Sequence, residues 1–407
     1  MNRIKKAYCR TYQKGFKTAL PVLPYRNPEM LEGVAAIPDV LRVKGVNSVL
    51  LVADGGVRRL GLTEKLESIL DKAGIICNVH EQNRANPTIS DVELSVESYK
   101  IVDAQAIIAV GGGSAMDCAK ATGARIARPD KSISDMKGIL KVMKKTPLLI
   151  AVPTTAGTGS EATLAAVITD EKTHHKYPIN DFNLIPDYAV LDPYLTVGLP
   201  PFITATTGLD ALTHAVEAYI GGSTTELTRS MSEDAVLLIS YYLKRAVAQG
   251  DDIEARKGML RAAYYAGIAF TRSYVGYVHG VAHSLGGQYG IAHGLANAVL
   301  LPRVLEVYGE AVYPKLAVLA KKTHIAEKYI DDEKAAKKFI KWIYDMCKEF
   351  ELPETFPEIK EEDIPVMAKH ADEECNPLYP VPVLMGPEEL EELYRLVMVK
   401  EENEEEQ

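Results

Sequence analysis

The chain has 407 residues, 47% of them hydrophobic and 25% charged, with a net charge of −9. That length exceeds one ordinary core and suits two domains, and the balance is that of a globular protein. The negative charge excludes a general nucleic-acid or anionic-membrane binder, and no apolar run approaches the roughly 20 residues needed to span a bilayer.

No acidic residue precedes Glu29, whereas Arg3, Lys5, Lys6, Arg10, Lys14 and Lys17 are basic. Tyr8, Tyr12 and Phe16 alternate with polar residues and serine is absent, so the segment reads as a basic opening strand rather than a removable transit peptide. SVLLVA (48–53) reads as a buried strand closing on Asp54, and TEKLESILDKAG (63–74) as an amphipathic helix ending at glycine. AQAIIAV (104–110), a helix from Ala115 and PLLIAVPTT (147–155) continue the alternation. Strands alternating with helices predict right-handed crossovers and a largely parallel sheet.

From about residue 200 the pattern changes. GLPPFITATTG has a proline pair and no periodicity, and long helical stretches follow, such as 226–249 and 332–350. The expected division is an α/β dinucleotide-binding domain over 1–199, an all-helical metal-binding domain over 200–399 and a disordered acidic tail over 400–407. Five dispersed cysteines without a C-x-x-C pair imply reduced thiols and a cytoplasmic setting, with Cys118 as a small buried residue.

AQAIIAVGGGSAMDCAKATG is a strand, a glycine turn and a helix. Gly111, Gly112 and Gly113 can bring backbone N–H groups to a phosphate, Ser114 can add a hydroxyl, and the helix start favours an anion. The run is neither the G-x-G-x-x-G fingerprint nor a Walker loop, and a tight turn without ligand also explains it. The acidic residue expected on a ribose normally follows the glycines, but the candidate, Asp54, precedes them, so the sheet is wired in another order. As a plain turn former before Gly55 it needs no ligand. A third strand-ending loop, VPTTAGTGSEAT (152–163), supplies Thr154, Thr155, Thr158 and Ser160. Three such loops on one sheet edge point to a phosphate-bearing cofactor.

Asp210 and His214 stand four apart, as do His279 and His283, and His293 follows ten residues later. Residues four apart share a helix face. A carboxylate with several neutral imidazoles suits a divalent first-row ion such as Fe²⁺ or Zn²⁺. The bland alternatives are a capping box from Thr207 to Asp210 and satisfied core histidines. His80, His174, His175, His324 and His370 read as surface residues.

These segments resemble the iron-containing (group III) alcohol dehydrogenase family. The matching motifs are NPT at 86–88, GGGSAMD at 111–117, TTAGTGSE at 154–161, TGLDALTHAVEAY at 207–219 and the histidine-rich stretch at 277–294. The resemblance implies a dehydroquinate-synthase-like fold, with a Rossmann-like parallel-sheet domain before a helical one, and a homodimer. It implies metal ligands at Asp210, His214, His279 and His293. His283 is then not a ligand but lies near the nicotinamide and takes part in proton movement. It places NAD on Asp54, Asn86, Gly112, Gly113, Ser114, Thr154, Thr155, Thr158, Val167 and Lys176. Ser284, Ala292, Arg272 and Tyr274 depart from the usual pattern, which puts the substrate in question.

The expected reaction is hydride transfer between a primary alcohol or diol and NAD, with the corresponding aldehyde as the other partner. A divalent ion lowers the pKa of an oxygen ligand by many units, as it lowers that of water from about 16 to about 7. Asp54 should favour NAD over NADP by repelling a 2′-phosphate. Arg272 raises the alternative of a hydroxy-acid substrate, against surface salt-bridge duty for the same residue. A lyase of the dehydroquinate-synthase kind is a rival that the Asp-plus-three-His pattern disfavours. A metal hydrolase without nucleotide is another, and it would not need the glycine and threonine loops.

Overall fold

The computed structural model describes residues 1–82, 86–172 and 175–399; the tail expected to be disordered lies outside them. Among the described residues nine strands occur, all before the helical half. They are β1 (Glu29–Leu31), β2 (Ser48–Asp54), β3 (Ile76–Gln82), β4 (Ala106–Gly111), β5 (Gly138–Ile139), β6 (Leu148–Pro153), β7 (Ala165–Asp170), β8 (His175–Asn180) and β9 (Tyr188–Val190). Six form one parallel sheet in the order β1-β9-β6-β4-β2-β3. The other three make a small sheet in which β7 and β8 are antiparallel.

The central strands are apolar throughout because both faces are covered. Along β2, Leu50 and Val52 enter one core while Val49, Leu51 and Ala53 enter the other. Along β4, Ile107 and Ala109 alternate in the same way with Ala106, Ile108 and Val110. Parallel sheets buried on two sides require this composition. In register, Ala53 pairs with Val110 and Gly111 with Pro153, so β2, β4 and β6 end together. That shared edge carries Asp54, the glycine turn and the threonine loop.

From Pro201 onward the described residues are helix and connection, apart from an isolated bridge between Phe356 and Met398. Helix Pro201–Ile220 is buried at nearly every position from Thr204, as a helix at the centre of a bundle must be. It packs on helices Glu226–Ala248, Ile253–Ser273 and His293–Tyr308. The parallel-sheet half followed by a helical half is the fold class expected from the sequence.

Residues 3–19 correct the reading of a basic opening strand: they form the helix Arg3–Ala19. Its buried side chains are Cys9 and Gln13, and its partners come from the far end of the chain. Lys5 pairs with Asp372 at 2.6 Å. Arg10 donates to the Val381 and Pro382 carbonyls, each at 2.7 Å. Gln13 Nε2 donates to the Tyr379 carbonyl at 2.7 Å. This opening helix therefore packs on the helical half.

The two halves meet where glycine allows backbone contact. A Cβ on Gly267 would lie 2.6 Å from the Gly159 carbonyl, and one on Gly157 would lie 2.8 Å from Thr207 Cβ. Gly267→Ala is expected to lower stability by about 1–3 kcal/mol through overpacking. A fall in the urea midpoint at unchanged slope would register it.

Candidate active site

Asp210 and His214 project from helix Pro201–Ile220, His279 from helix Tyr277–Tyr289, and His293 opens helix His293–Tyr308. One ligand atom from each of the four lies within 4.8 Å of the others. Asp210 Oδ1 is 3.9 Å from His214 Nδ1, 3.9 Å from His279 Nε2 and 3.5 Å from His293 Nε2. Asp210 is 2% exposed, His214 5% and His279 2%. Burial pushes the His214, His279 and His293 imidazoles below their ordinary range, which favours the neutral, metal-ligating form. The capping-box alternative fails, because Thr207 and Asp210 are both interior to the helix and the Thr207 hydroxyl bonds the Ile203 carbonyl.

These four side chains fit a cation. His214 Nδ1 is buried without a hydrogen-bond partner, as is Asn297 Oδ1. Asn297 Nδ2 bonds Asp210 Oδ1 at 2.7 Å and lies 3.2 Å and 3.1 Å from Nε2 of His279 and His293. With lone pairs on both ring nitrogens, two amide hydrogens cannot satisfy the three acceptors, an arrangement that suits a positive centre.

Glu217, two helical turns beyond Asp210, supports the cluster. Its carboxylate accepts from the Gly276 and Val278 N–H groups, both at 2.8 Å, and meets His279 Nδ1 at 2.6 Å. Helix Tyr277–Tyr289 has no cap of its own, so Glu217 satisfies its first donors and also fixes the His279 tautomer. Burial raises the Glu217 carboxyl to about 7, with the Gly276 and Val278 N–H groups pulling the other way. Gly276 is required here, since a Cβ would lie 2.6 Å from Glu217 Oε1. Glu217→Gln is expected to weaken divalent-metal affinity about 10–100-fold, read by competition against a chelator.

His283 stands apart from the other three. Its ring stacks on His293 with centroids 5.1 Å apart, and Nδ1 meets Glu374 Oε1 at 2.7 Å. Its side chain is 43% exposed. Burial works against its charged form, but the Glu374 carboxylate outweighs this and raises its pKa.

The residues expected to hold the cofactor line the shared strand edge and the β7–β8 hairpin. Asp54 accepts from the Val57 N–H at 2.8 Å, and its Oδ2 lies 2.8 Å from where a Gly111 Cβ would stand. Gly112 faces Thr155, Gly113 faces Thr158, and the Thr154 N–H bonds the Gly111 carbonyl at 3.0 Å. Ser114 follows in the first turn of helix Gly113–Ala127. Lys176 Nζ donates to Asn86 Oδ1 at 2.9 Å, and Val167 pairs with Pro178 across β7 and β8. The Lys176 charge reaches Asp117 on one side and Glu374 and His283 on the other. The Gly157 backbone packs against Thr207, so the threonine loop abuts the helix that carries Asp210 and His214.

Reading the sequence missed the supports of this loop. Lys120 is buried and donates to the Ser160 carbonyl and hydroxyl, the Thr163 hydroxyl and the Ala165 carbonyl, all within 3.0 Å. Arg272 belongs to neither role weighed for it. It is 8% exposed, donates to the Ile268 carbonyl and to Asn27 Oδ1, and lies over the Tyr25 ring. Its guanidinium is committed inside the protein, which removes the residue behind the hydroxy-acid alternative. His324 and His370 are exposed as expected, but His80 is half-buried with Nε2 unpartnered. His174 and the His175 side chain lie outside the described residues.

Three phosphate-type loops on one strand edge, the threonine loop packed on the helix of Asp210 and His214, suit a metal- and dinucleotide-using oxidoreductase. The profile "Iron-containing alcohol dehydrogenase" matches residues 31–193, and "Fe-containing alcohol dehydrogenase family, C-terminal" matches 204–398. The chain belongs to the iron-containing alcohol dehydrogenase family, and it is an alcohol dehydrogenase by class. It is 40% identical to alcohol dehydrogenase 4 of Schizosaccharomyces pombe over 72% of this chain and 70% of that one. It is 36% identical to an NAD-dependent methanol dehydrogenase of Bacillus methanolicus over 85% of this chain and 92% of that one. A crystal structure of 1,3-propanediol oxidoreductase superimposes with a TM-score of 0.88 at 33% identity, covering 92% of this chain and 99% of the other. No helix among the described residues is long and apolar enough to cross a membrane.

Proposed function

We propose that the protein interconverts a primary alcohol or diol and its aldehyde with NAD, using one divalent ion held by Asp210, His214, His279 and His293. The observation that carries this is the convergence of one ligand atom from each of four side chains within 4.8 Å, three of the residues buried and His293 partly exposed, with His214 Nδ1 left unpartnered. Fe²⁺ is the first choice for the ion, and Zn²⁺ suits the same donors. When bound, such an ion supplies Lewis acidity to an alcohol or carbonyl oxygen.

The chain's own residues supply the remainder. The Gly112 and Gly113 N–H groups, at the start of a helix, would hold the pyrophosphate, with Ser114, Thr154, Thr155 and Thr158 around it. Asp54 would bind the adenosine ribose, and Asn86, Val167 and Lys176 would border the cofactor from the small sheet. His283, on the solvent side of the cluster, would take up the alcohol proton during oxidation and return it during reduction. We assign residues 1–199 to the cofactor and 200–399 to the metal, with the opening helix serving the second half. Five unpaired thiols favour a reducing, cytoplasmic setting, and a homodimer is the assembly we propose.

The test is a metal-analysed preparation assayed with NADH against a panel of aldehydes and keto acids. Turnover of aldehydes, lost with a chelator and restored by Fe²⁺ or Zn²⁺, is expected, with a rise in melting temperature on adding NAD. Absence of any NAD-induced rise would defeat the proposal.

A further inference from the structure

His283 is joined to a second carboxylate. Glu374, near the end of helix Ile364–Cys375, presents Oε1 to His283 Nδ1 at 2.7 Å. The same oxygen accepts from the Tyr379 hydroxyl at 2.7 Å. An imidazole facing a carboxylate in this way carries its proton on Nδ1, which leaves Nε2 as the lone-pair atom.

The surrounding structure holds this pair in place. The helices bearing His283 and Glu374 touch at Gly280, where a Cβ would collide with Cys375 Sγ. Gly280 precedes His283 by three residues and Cys375 follows Glu374, so the glycine lets the carboxylate reach the ring. Tyr379 is fixed from its other side, since its carbonyl accepts from Gln13 and its ring lies 6.2 Å from Tyr274. Tyr274 in turn packs edge-on against Phe16 at 5.0 Å.

We propose that Glu374 is a positioning residue that holds His283 in one ring orientation and one tautomer, with Tyr379 and the opening helix keeping Glu374 in register. This rests on the proposed role of His283 in proton movement. Glu374 itself touches none of the four side chains of the metal cluster through any hydrogen bond or ion pair among the described residues.

The test compares Glu374→Leu, Glu374→Gln and His283→Ala in zinc-loaded, full-length protein. Glu374→Leu is expected to lower kcat roughly 10–100-fold while KM for NAD and zinc content stay within about threefold, the split expected when a proton-handling group loses its orientation. Glu374→Gln, whose carbonyl still accepts from Nδ1–H, should recover most of that loss. In ¹⁵N-histidine-labelled protein, the His283 Nδ1–H signal, assigned by its disappearance in His283→Ala, should persist in the Gln variant and vanish in the Leu variant. If His283→Ala cripples turnover but Glu374→Leu leaves both kcat and the Nδ1–H signal intact, the positioning role is overturned and the function of His283 stands. If His283→Ala itself leaves kcat unchanged, the proposed role of His283 fails and the positioning role falls with it. Should the Leu variant not fold, Tyr379→Phe replaces it. A kcat loss of about threefold is expected there, with the Nδ1–H signal broadened, and no change in either would overturn the proposal.

Discussion

Asp210→Ala is expected to purify without bound divalent metal and to lose at least roughly 10³-fold in kcat/KM. Lewis-acid stabilisation is worth several kcal/mol, and each 1.36 kcal/mol is a factor of ten in rate. Asp210 is the one carboxylate among the four ligand side chains, so without it three neutral imidazoles face a dication with no compensating charge. The stability effect should depend on metal. In the wild type, an ion present at about 1,000 times its Kd adds about 4 kcal/mol. In the metal-free state the substitution removes one acceptor from a group that Asn297 alone cannot satisfy. The wild type should therefore melt higher with Zn²⁺ than without it, whereas the variant should melt at one temperature in both conditions. A metal-dependent melting shift that survives in Asp210→Ala would place the ion elsewhere.

The second large effect concerns the choice of dinucleotide. Asp54→Asn is expected to raise the ratio of kcat/KM for NADP over NAD by about 10–100-fold. Removal of a unit charge about 4 Å from a 2′-phosphate relieves on the order of 4 kcal/mol at an effective dielectric of 20, and salt screening reduces this. Asparagine is the informative replacement because Asp54 also accepts from the Val57 N–H. An alanine there would lose the helix cap, at about 1 kcal/mol, and confuse stability with specificity. An unchanged cofactor ratio in the Asn variant would remove Asp54 from the ribose site.

The parts of this molecule that were legible in the sequence are those governed by short-range periodicity. β2 and β4 announce themselves as unbroken apolar runs because both faces are covered. The pairs Asp210/His214 and His279/His283 announce a helix face by their spacing. The amino-terminal helix is poorly legible because Tyr8, Tyr12 and Phe16 among polar residues read as a strand. Their spacing of four is helical, but the side chains this helix buries are Cys9 and Gln13, whose partners lie far along the chain, while Tyr8 and Tyr12 stay exposed. Glu217 and Asn297 carried a usable signal that went unread: Glu217 is seven residues beyond Asp210, and Asn297 is four beyond His293. Glu374 carried none, since its relation to His283 exists only through the packing of Gly280 on Cys375. Arg272 misled through proximity in sequence to His279. Tyr274, at φ 61°, turns the chain between them, and the guanidinium ends among Tyr25, Asn27 and the Ile268 carbonyl.

The docking of helix Arg3–Ala19 on residues 377–382 also bears on how the protein is made. Gln13 and Arg10 leave the ribosome 364 to 372 residues ahead of the carbonyls they bond. At ordinary synthesis rates that is a delay of about 20–70 s, during which an amphipathic, cationic segment lacks the carbonyls that Arg10 and Gln13 bond. Docking of this helix on residues 377–382 must therefore come late in maturation. A nascent chain stalled before Asp372 would carry this segment undocked, exposed to chaperones and proteases alike.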